Sequence, residues 1–345
     1  MLSVDERVKY YTNNLEEIII NFDVSKQHAF WYDNSNNKHI YEEQGRAFHK
    51  MWLVNKNFNE NYFINNSEGN PIIQYDVNAY VKPMIKKFKS DVYFKDKTFL
   101  TRFGDVFFSI PIPVITKTRP SIIKYKNSKN TKNVLINLDR NRHWNLPISK
   151  VKRYDIPFKN KNNKIIWRGG FTGFGWDPNN PTLRPNRKTL CENYHDCSNP
   201  LIDIGPVGSN PYPSIFTYSG KIKNYIDISI QLKSKFIISV EGGDVATNLK
   251  WILYSNSIPL MAQPTMCSWL MEENLKPWVH YVPLNDQFDD LEEKYNWCLK
   301  NLDKCEEIAK NGKKYIEQFL DENREKKITN LVLRNYADKV KIFYK

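Results

Sequence analysis

The run FIISVEGGDVATNLKWILYSNSIPLM, Phe236 to Met261, constrains this chain more than any other stretch. It opens on an apolar segment, Phe236 to Val240, that predicts a buried strand. Gly242 and Gly243 then permit a tight turn and the close approach of a ligand to the backbone. Val245 to Tyr254 predicts a helix with Asp244 as its cap, and Ile258 to Ala262 predicts a second strand. A strand–helix–strand unit implies a parallel sheet with a right-handed crossover. The N–H groups of Val245, Ala246, Thr247 and Asn248 would then open outward from the helix N-terminus, a setting that suits an anion. Open α/β sheets bind ligands at the carboxyl ends of their strands, where this loop falls. A purely structural turn, with Asp244 no more than a cap, accounts for the same residues.

A second stretch repeats the pattern. WRGGFTGFGWDPNNPTLRPNRKTL, Trp167 to Leu190, runs from a short strand, Lys164 to Trp167, into Gly169, Gly170, Gly173 and Gly175. Arg168 stands beside these glycines, Thr172 offers a hydroxyl, and Arg184 and Arg187 follow close to the start of a helix. Arginines next to a glycine-rich backbone can grip a phosphate with two parallel hydrogen bonds. No Lys–Ser or Lys–Thr follows a glycine here, so this is not a Walker P-loop. A flexible loop with surface arginines is the alternative.

With 345 residues, two domains are expected. Residues 1–50 read as helical, from apolar positions around Val8, Tyr11, Leu15, Ile18 and Ile19. Strands are expected at Phe99 to Phe103, Ile112 to Thr116 and Val134 to Leu138. The polar stretch Phe158 to Lys164 (FKNKNNK) suggests a boundary, dividing residues 1–160 from 161–320. Helices are expected at Asp289 to Leu299, Leu302 to Asn311 and Gly312 to Leu320. A last helix, Glu322 to Phe343, falls in a tail, 321–345, that could pack back on the first domain.

Composition narrows the partners. The net charge of +13 favours anions, nucleotide diphosphates and nucleic acids alike. Much of it sits in Lys–Asn runs such as KNSKNTKN that read as solvated loops, so nucleic acid is not the expected partner. Five cysteines with no CxxC pair imply neither a zinc site nor a disulfide framework. MLSVDERVKYYTNNLEEIIINF lacks the apolar core of a secretory signal, and KIFYK is no retention signal. With no run long enough to span a membrane, the expected location is the cytoplasm. The Asn, Lys and Ile usage would suit an AT-rich bacterium or a large DNA virus, in which case that is the host cytoplasm.

Four ordered blocks resemble glycosyltransferase family 90, between about Phe99 and Gly312: RHW at Arg142 to Trp144, WRGGFTG at Trp167 to Gly173, VEGGDVATNLKWILYSNSIPLM at Val240 to Met261, and SWLMEENLKPWVHYVPL at Ser268 to Leu284. The text looks most like the bacterial lipopolysaccharide branch. The resemblance implies an α/β, GT-B-like chain, two Rossmann-like domains facing across a cleft. It implies inverting transfer of glucose or xylose from a UDP-sugar to a glycan or glycoprotein hydroxyl, with no cofactor and no obligatory metal. An inverting transfer needs a general base. The matching text, TRFGDVFFSIPIPVITKTRP, points to Asp105, with Asp139 and Asp155 as runners-up. Arg168, Gly169, Thr172, Gly173 and Arg187 carry over as donor contacts, with Glu241 to Asn248 as the phosphate-binding turn. Asn248 stands where eukaryotic members have an arginine, so Arg168, Arg187 or Lys250 would supply that charge. His143, Trp144, Trp269 and Glu272 are candidates for the acceptor or sugar. Core packing is the expectation for Trp251 and Trp278, and a satisfied backbone contact in a buried strand for His280. A glycan-binding protein without catalysis and a basic nucleic-acid binder are the two rival readings.

Overall fold

The computed structural model describes residues 2–13, 15–42, 51–55, 57, 82–102, 106, 108–121, 123, 131–137, 140–173, 186–209 and 218–345. The chain forms two compact units, one of Arg140–Asp321 with Ile123–Tyr125, the other of Leu2–Ile122, Lys126–Asp139 and Glu322–Lys345.

In the terminal unit, α1 (Val4–Thr12) begins on a capping box between Ser3 and Glu6 and ends at Asn13, whose backbone is left-handed. The helix expected over residues 1–50 stops there. Strands β1 (Ile18–Asp23), β2 (His28–Tyr32) and β3 (Lys38–Glu42) follow instead. The apolar spacing that suggested one long helix continues into Ile18–Ile19–Ile20, and β-branched residues favour a strand. A second sheet holds β4 (Met51–Val54), β5 (Phe99–Arg102), β6 (Val114–Thr116) and β8 (Asn133–Leu135); β7 (Thr118–Pro120) lies between the last two in sequence. The helix α2 (Lys82–Ser90) buries Phe88 against Phe94 and Phe99. The final helix α9 (Glu322–Lys339) is four residues shorter than expected, because VKIFY turns into a strand, β15 (Val340–Tyr344), parallel to β1. Buried Arg7 fastens α1 to α9 through Glu325, with one bond of 2.9 Å, and the Tyr336 hydroxyl donates to Pro113 at 2.9 Å.

The other unit is a parallel sheet of β9 (Asn162–Gly169), β10 (Ile202–Pro206), β11 (Ser234–Ile238), β12 (Ile258–Met261) and β14 (Val282–Pro283), in the order β10-β9-β11-β12-β14. A short strand, β13 (Met266–Ser268), follows β12. The strands read as near-continuous apolar runs because both faces are covered. One face buries Ile165, Phe236 and Ile258 against Leu190 of α4 (Arg187–Tyr194), Tyr295 of α7 (Leu291–Lys300) and Ile308 of α8 (Leu302–Glu317). The other buries Ile166 and Ile237 against Val151 of α3 (Leu146–Tyr154) and Trp251 and Ile252 of α6 (Leu249–Tyr254), with Ile228 of α5 (Ile228–Gln231) packed alongside.

Two expectations change here. Gly312 sits inside α8, which merges the two helices expected around it. The stretch taken as an interdomain boundary is instead the entry to β9: the buried Lys161 ammonium donates to Asp155 and to the Leu232 carbonyl. The unit itself starts earlier, at Arg140, because α3 covers the sheet. None of the five cysteines forms a disulfide, and among the described residues no helix is long and apolar enough to cross a membrane.

Candidate functional site

The sheet order makes β9 and β11 neighbours whose following connections leave in opposite directions, the switch point at which doubly wound sheets bind ligands. Both glycine turns singled out in the sequence emerge there. Gly173 has φ +86°, and a Cβ on it would lie 2.7 Å from the Gly242 carbonyl oxygen. Only glycine adopts that backbone cheaply and lets the two turns touch. A Cβ on Gly242 would in turn lie 2.8 Å from Nη2 of Arg187. The same guanidinium donates through Nη1 to the Gly170 carbonyl at 3.0 Å and the Thr172 hydroxyl at 3.3 Å. Gly170, Thr172, Gly173, Arg187 and Gly242 therefore meet in one place, with Gly169 ending β9 just below.

The turn after β11 differs from the expectation. Helix α6 begins at Leu249, not Val245, so Gly243 to Asn248 form an irregular loop rather than a first helical turn. Asn248 causes this. Its amide nitrogen donates to the Ile238 carbonyl at 2.9 Å and its oxygen accepts from the Ser239 hydroxyl at 3.1 Å, which folds the loop back onto the strand end. Asp244, buried, is not the helix cap; Asn248 holds that position with no side-chain capping bond.

Beside the turn lies a narrow pocket over the ends of β11 and β12. Val240, Val245, Ala246, Leu249 and Phe288 give it apolar walls, and the polar lining comes from Ser239, Gln263 and two carboxylates, Glu241 and Glu272. The Glu241 carboxylate accepts from the backbone N–H of Thr265 (2.9 Å) and Met266 (3.0 Å) and from the Thr265 hydroxyl, tying the two strand-end loops together. Thr247 points to solvent.

Glu272 is 2% exposed. Burial pushes its carboxyl above the usual carboxylate range, opposed by nearby Lys250 and by bonds from the Ser268 N–H (2.6 Å) and hydroxyl (2.8 Å). Lys250 is itself buried, its ammonium 5.7 Å from the Trp269 ring centre. Trp144 and Trp269, each 3% exposed, pack edge to face at 5.2 Å, and both lean on Phe319. His143 precedes Trp144 on the π-helical segment Asn141–Asn145. Sequence reasoning missed Ser268, whose spacing from Glu272 is the one signal that would have found it, and Gln263 and Phe288, which carry no signal at all.

Other candidates lie elsewhere. Arg168 turns along the sheet, donating to the Asp203 carboxylate (2.7 Å) and to the carbonyls of Asp203, Trp167 and Asn224. Lys164 and Lys223 each reach the same carboxylate at 2.8 Å. Asp155 accepts from Lys161 and from the Asn256 N–H, and Asp105 and Asp139 lie outside the described residues. Trp278, expected in the core, is 43% exposed and packs edge to face on Trp297 at 4.5 Å. His280 lies in a turn, where its Nδ1 accepts from the Lys276 N–H at 2.9 Å. Among the described residues no three His, Cys, Asp or Glu side chains converge to hold a metal.

An arginine held between two glycine turns, next to an apolar pocket with polar edges, stands at the switch point of this parallel α/β sheet. The comparisons with known proteins make this specific: the sequence model of glycosyl transferase family 90 matches residues 136–343, and the chain belongs to that family. O-glucosyltransferase LpsA of Dichelobacter nodosus is 33% identical over 245 residues, 70% of this chain and 67% of that one. Uncharacterized protein 035R of Invertebrate iridescent virus 3 is 29% identical over 46% of this chain and 15% of its own length. Protein O-glucosyltransferase 3 of Rattus norvegicus is 28% identical over 40% of this chain and 27% of its own. The chain thus spans two thirds of the bacterial relative and under a third of the other two.

Proposed function

We propose that the chain is an inverting glycosyltransferase of GT-B type that moves a sugar from a UDP-sugar to a hydroxyl of a glycan or glycoprotein in the cytoplasm, without an obligatory metal. The carrying observation is the Arg187 guanidinium laid against Gly242 between the two glycine turns. A fixed cation there offsets the charge that develops on a leaving diphosphate, the service a metal ion gives elsewhere. Asn248 is occupied with the strand end and Arg168 with Asp203, so Arg187 takes the role that an arginine in the helix start plays in eukaryotic members. The pocket over β11 and β12 would receive uridine, its apolar walls against the base and Glu272 toward hydroxyls. Asp105 would take the proton of the acceptor hydroxyl as that oxygen attacks the anomeric carbon and the bond to the UDP oxygen breaks. Two relatives bear the name O-glucosyltransferase, which favours glucose over xylose.

A screen of UDP-sugars for thermal stabilisation, then turnover of the best binder, tests this. Asp105→Asn is expected to keep the donor-induced stabilisation and lose about 10²–10⁴-fold in kcat. Equal transfer by the variant removes the base assignment, and failure of every UDP-sugar to bind removes the enzyme reading itself.

A further inference from the structure

The sheet β15-β1-β2-β3 of the terminal unit has one buried and one exposed face. Ile20, Phe22 and Ala29 make the buried face. The exposed face of a half-covered sheet ordinarily alternates to polar residues. Here it does not. The registers align Phe343, Asn21, Phe30 and Ile40 in one row across all four strands. In the next row, Lys341 is opposite Ile19 and Lys38 is opposite Tyr32, with the rings of Phe30 and Tyr32 6.5 Å apart. Ile40 is 63% exposed, Phe343 61%, and Ile19 and Tyr32 52% each. The second row is therefore apolar through the middle with a lysine on each edge strand, the first is apolar apart from Asn21, and neither holds an acid. The acids of the third row are engaged within the chain: Glu42 with His28, and Asp23 with the Ser25 and Lys26 N–H groups and with Lys345 at 3.7 Å.

This pattern states the chemistry of what covers it. Ile19 and Ile40 offer nothing to a hydroxylated sugar, and the lysines at both edges ask for negative charge. An occupant that is apolar below and anionic at its surface satisfies both, and lysine stems can lie along the apolar layer while their ammonium groups reach headgroups. We propose that this face docks the protein reversibly on an anionic membrane surface. The apolar rows supply the insertion, and Lys38 and Lys341, with the net charge of +13 behind them, supply the attraction.

Co-sedimentation of the full chain with vesicles tests this without any reference to sugar transfer. Binding is expected to vesicles of phosphatidylcholine mixed with phosphatidylserine and not to phosphatidylcholine alone. Lys38→Ala and Lys341→Ala should each lower partitioning about fivefold. Ile40→Ser and Phe343→Ser should each lower it about tenfold with Tm unchanged. Lys304→Ala with Lys310→Ala, twice the charge change on exposed positions of α8, should still cost less than either face lysine. Binding that ignores the serine lipid, or that Ile40→Ser leaves intact, overturns the proposal. So does a wild-type dimer in light scattering that Ile40→Ser dissociates, which would assign the face to a second copy.

Discussion

The two sheets β10-β9-β11-β12-β14 and β15-β1-β2-β3 use their surfaces in opposite ways. The parallel sheet is covered on both faces, so only its strand ends are left for chemistry, and the glycine turns, Arg187 and the pocket all sit there. The mixed sheet keeps one face open and places Ile19, Tyr32, Ile40 and Phe343 on it. The difference teaches where to look in each. A fully buried sheet announces its site by the residues that follow its strands, and a half-covered sheet by a departure from alternation within them.

The comparison breaks most decisively at Arg187. If the strand ends carry the donor's phosphates, Arg187→Ala should lower kcat/KM by about 10²–10³ and abolish the stabilisation by UDP, since a preset charge in a partly dry site is worth that much. Arg187→Lys should recover only part, because an ammonium lacks the planar fork. Full activity in Arg187→Ala would move the donor away from the switch point.

Arg168 sharpens the same contrast from the stability side. It shares the glycine-rich sequence context of Arg187, yet its guanidinium bonds to the Asp203 carboxylate and to the carbonyls of Trp167, Asp203 and Asn224. Its side chain is buried on Asp203, which three cations share. Burial alone would raise the Asp203 carboxyl, but hydrogen bonds from Lys164, Lys223 and Arg168 outweigh it and hold the group well below the usual carboxylate range. A depressed folded-state pKa contributes stability that is complete above the ordinary aspartate value and is lost as pH falls through the lower folded-state value. Asp203→Ala should therefore cost about 2–3 kcal/mol near neutral pH, by leaving Arg168 without its counter-charge. The gap in Tm between wild type and variant should close on acidification well below pH 4. A gap that persists there would mean packing, not charge, holds the cluster.

These two arginines also show what the sequence could disclose. The glycine turns were legible because a strand running into glycines has few other uses, and β11, α6 and β12 fall close to their expected places. The different placement of Arg168 and Arg187 was not legible. It depends on Asp203, which is 35 residues from Arg168 in sequence and carries no motif. The late start of α6 was hidden for the same reason, since Asn248 bonds a carbonyl ten residues away. Local pattern misled in β1 to β3, where helical spacing ran into β-branched residues. Trp278 misled too, because aromatic identity says nothing about which side of a turn is wet.

The smallest expected effect bears on the open face. Ile40→Thr keeps a β-branched side chain on β3, so strand preference is retained. Ile40 is exposed and its neighbours Phe30 and Lys38 already meet each other, the ammonium 4.7 Å from the ring centre. Little packing is lost, and the change in stability should stay within about 0.5 kcal/mol, as at surface positions generally. A drop of several times that would show that Ile40 is covered in the folded chain, and the face would then belong to the core rather than to a partner. An unchanged Tm with weakened vesicle binding separates the two, because only a docking surface gives up affinity without giving up stability.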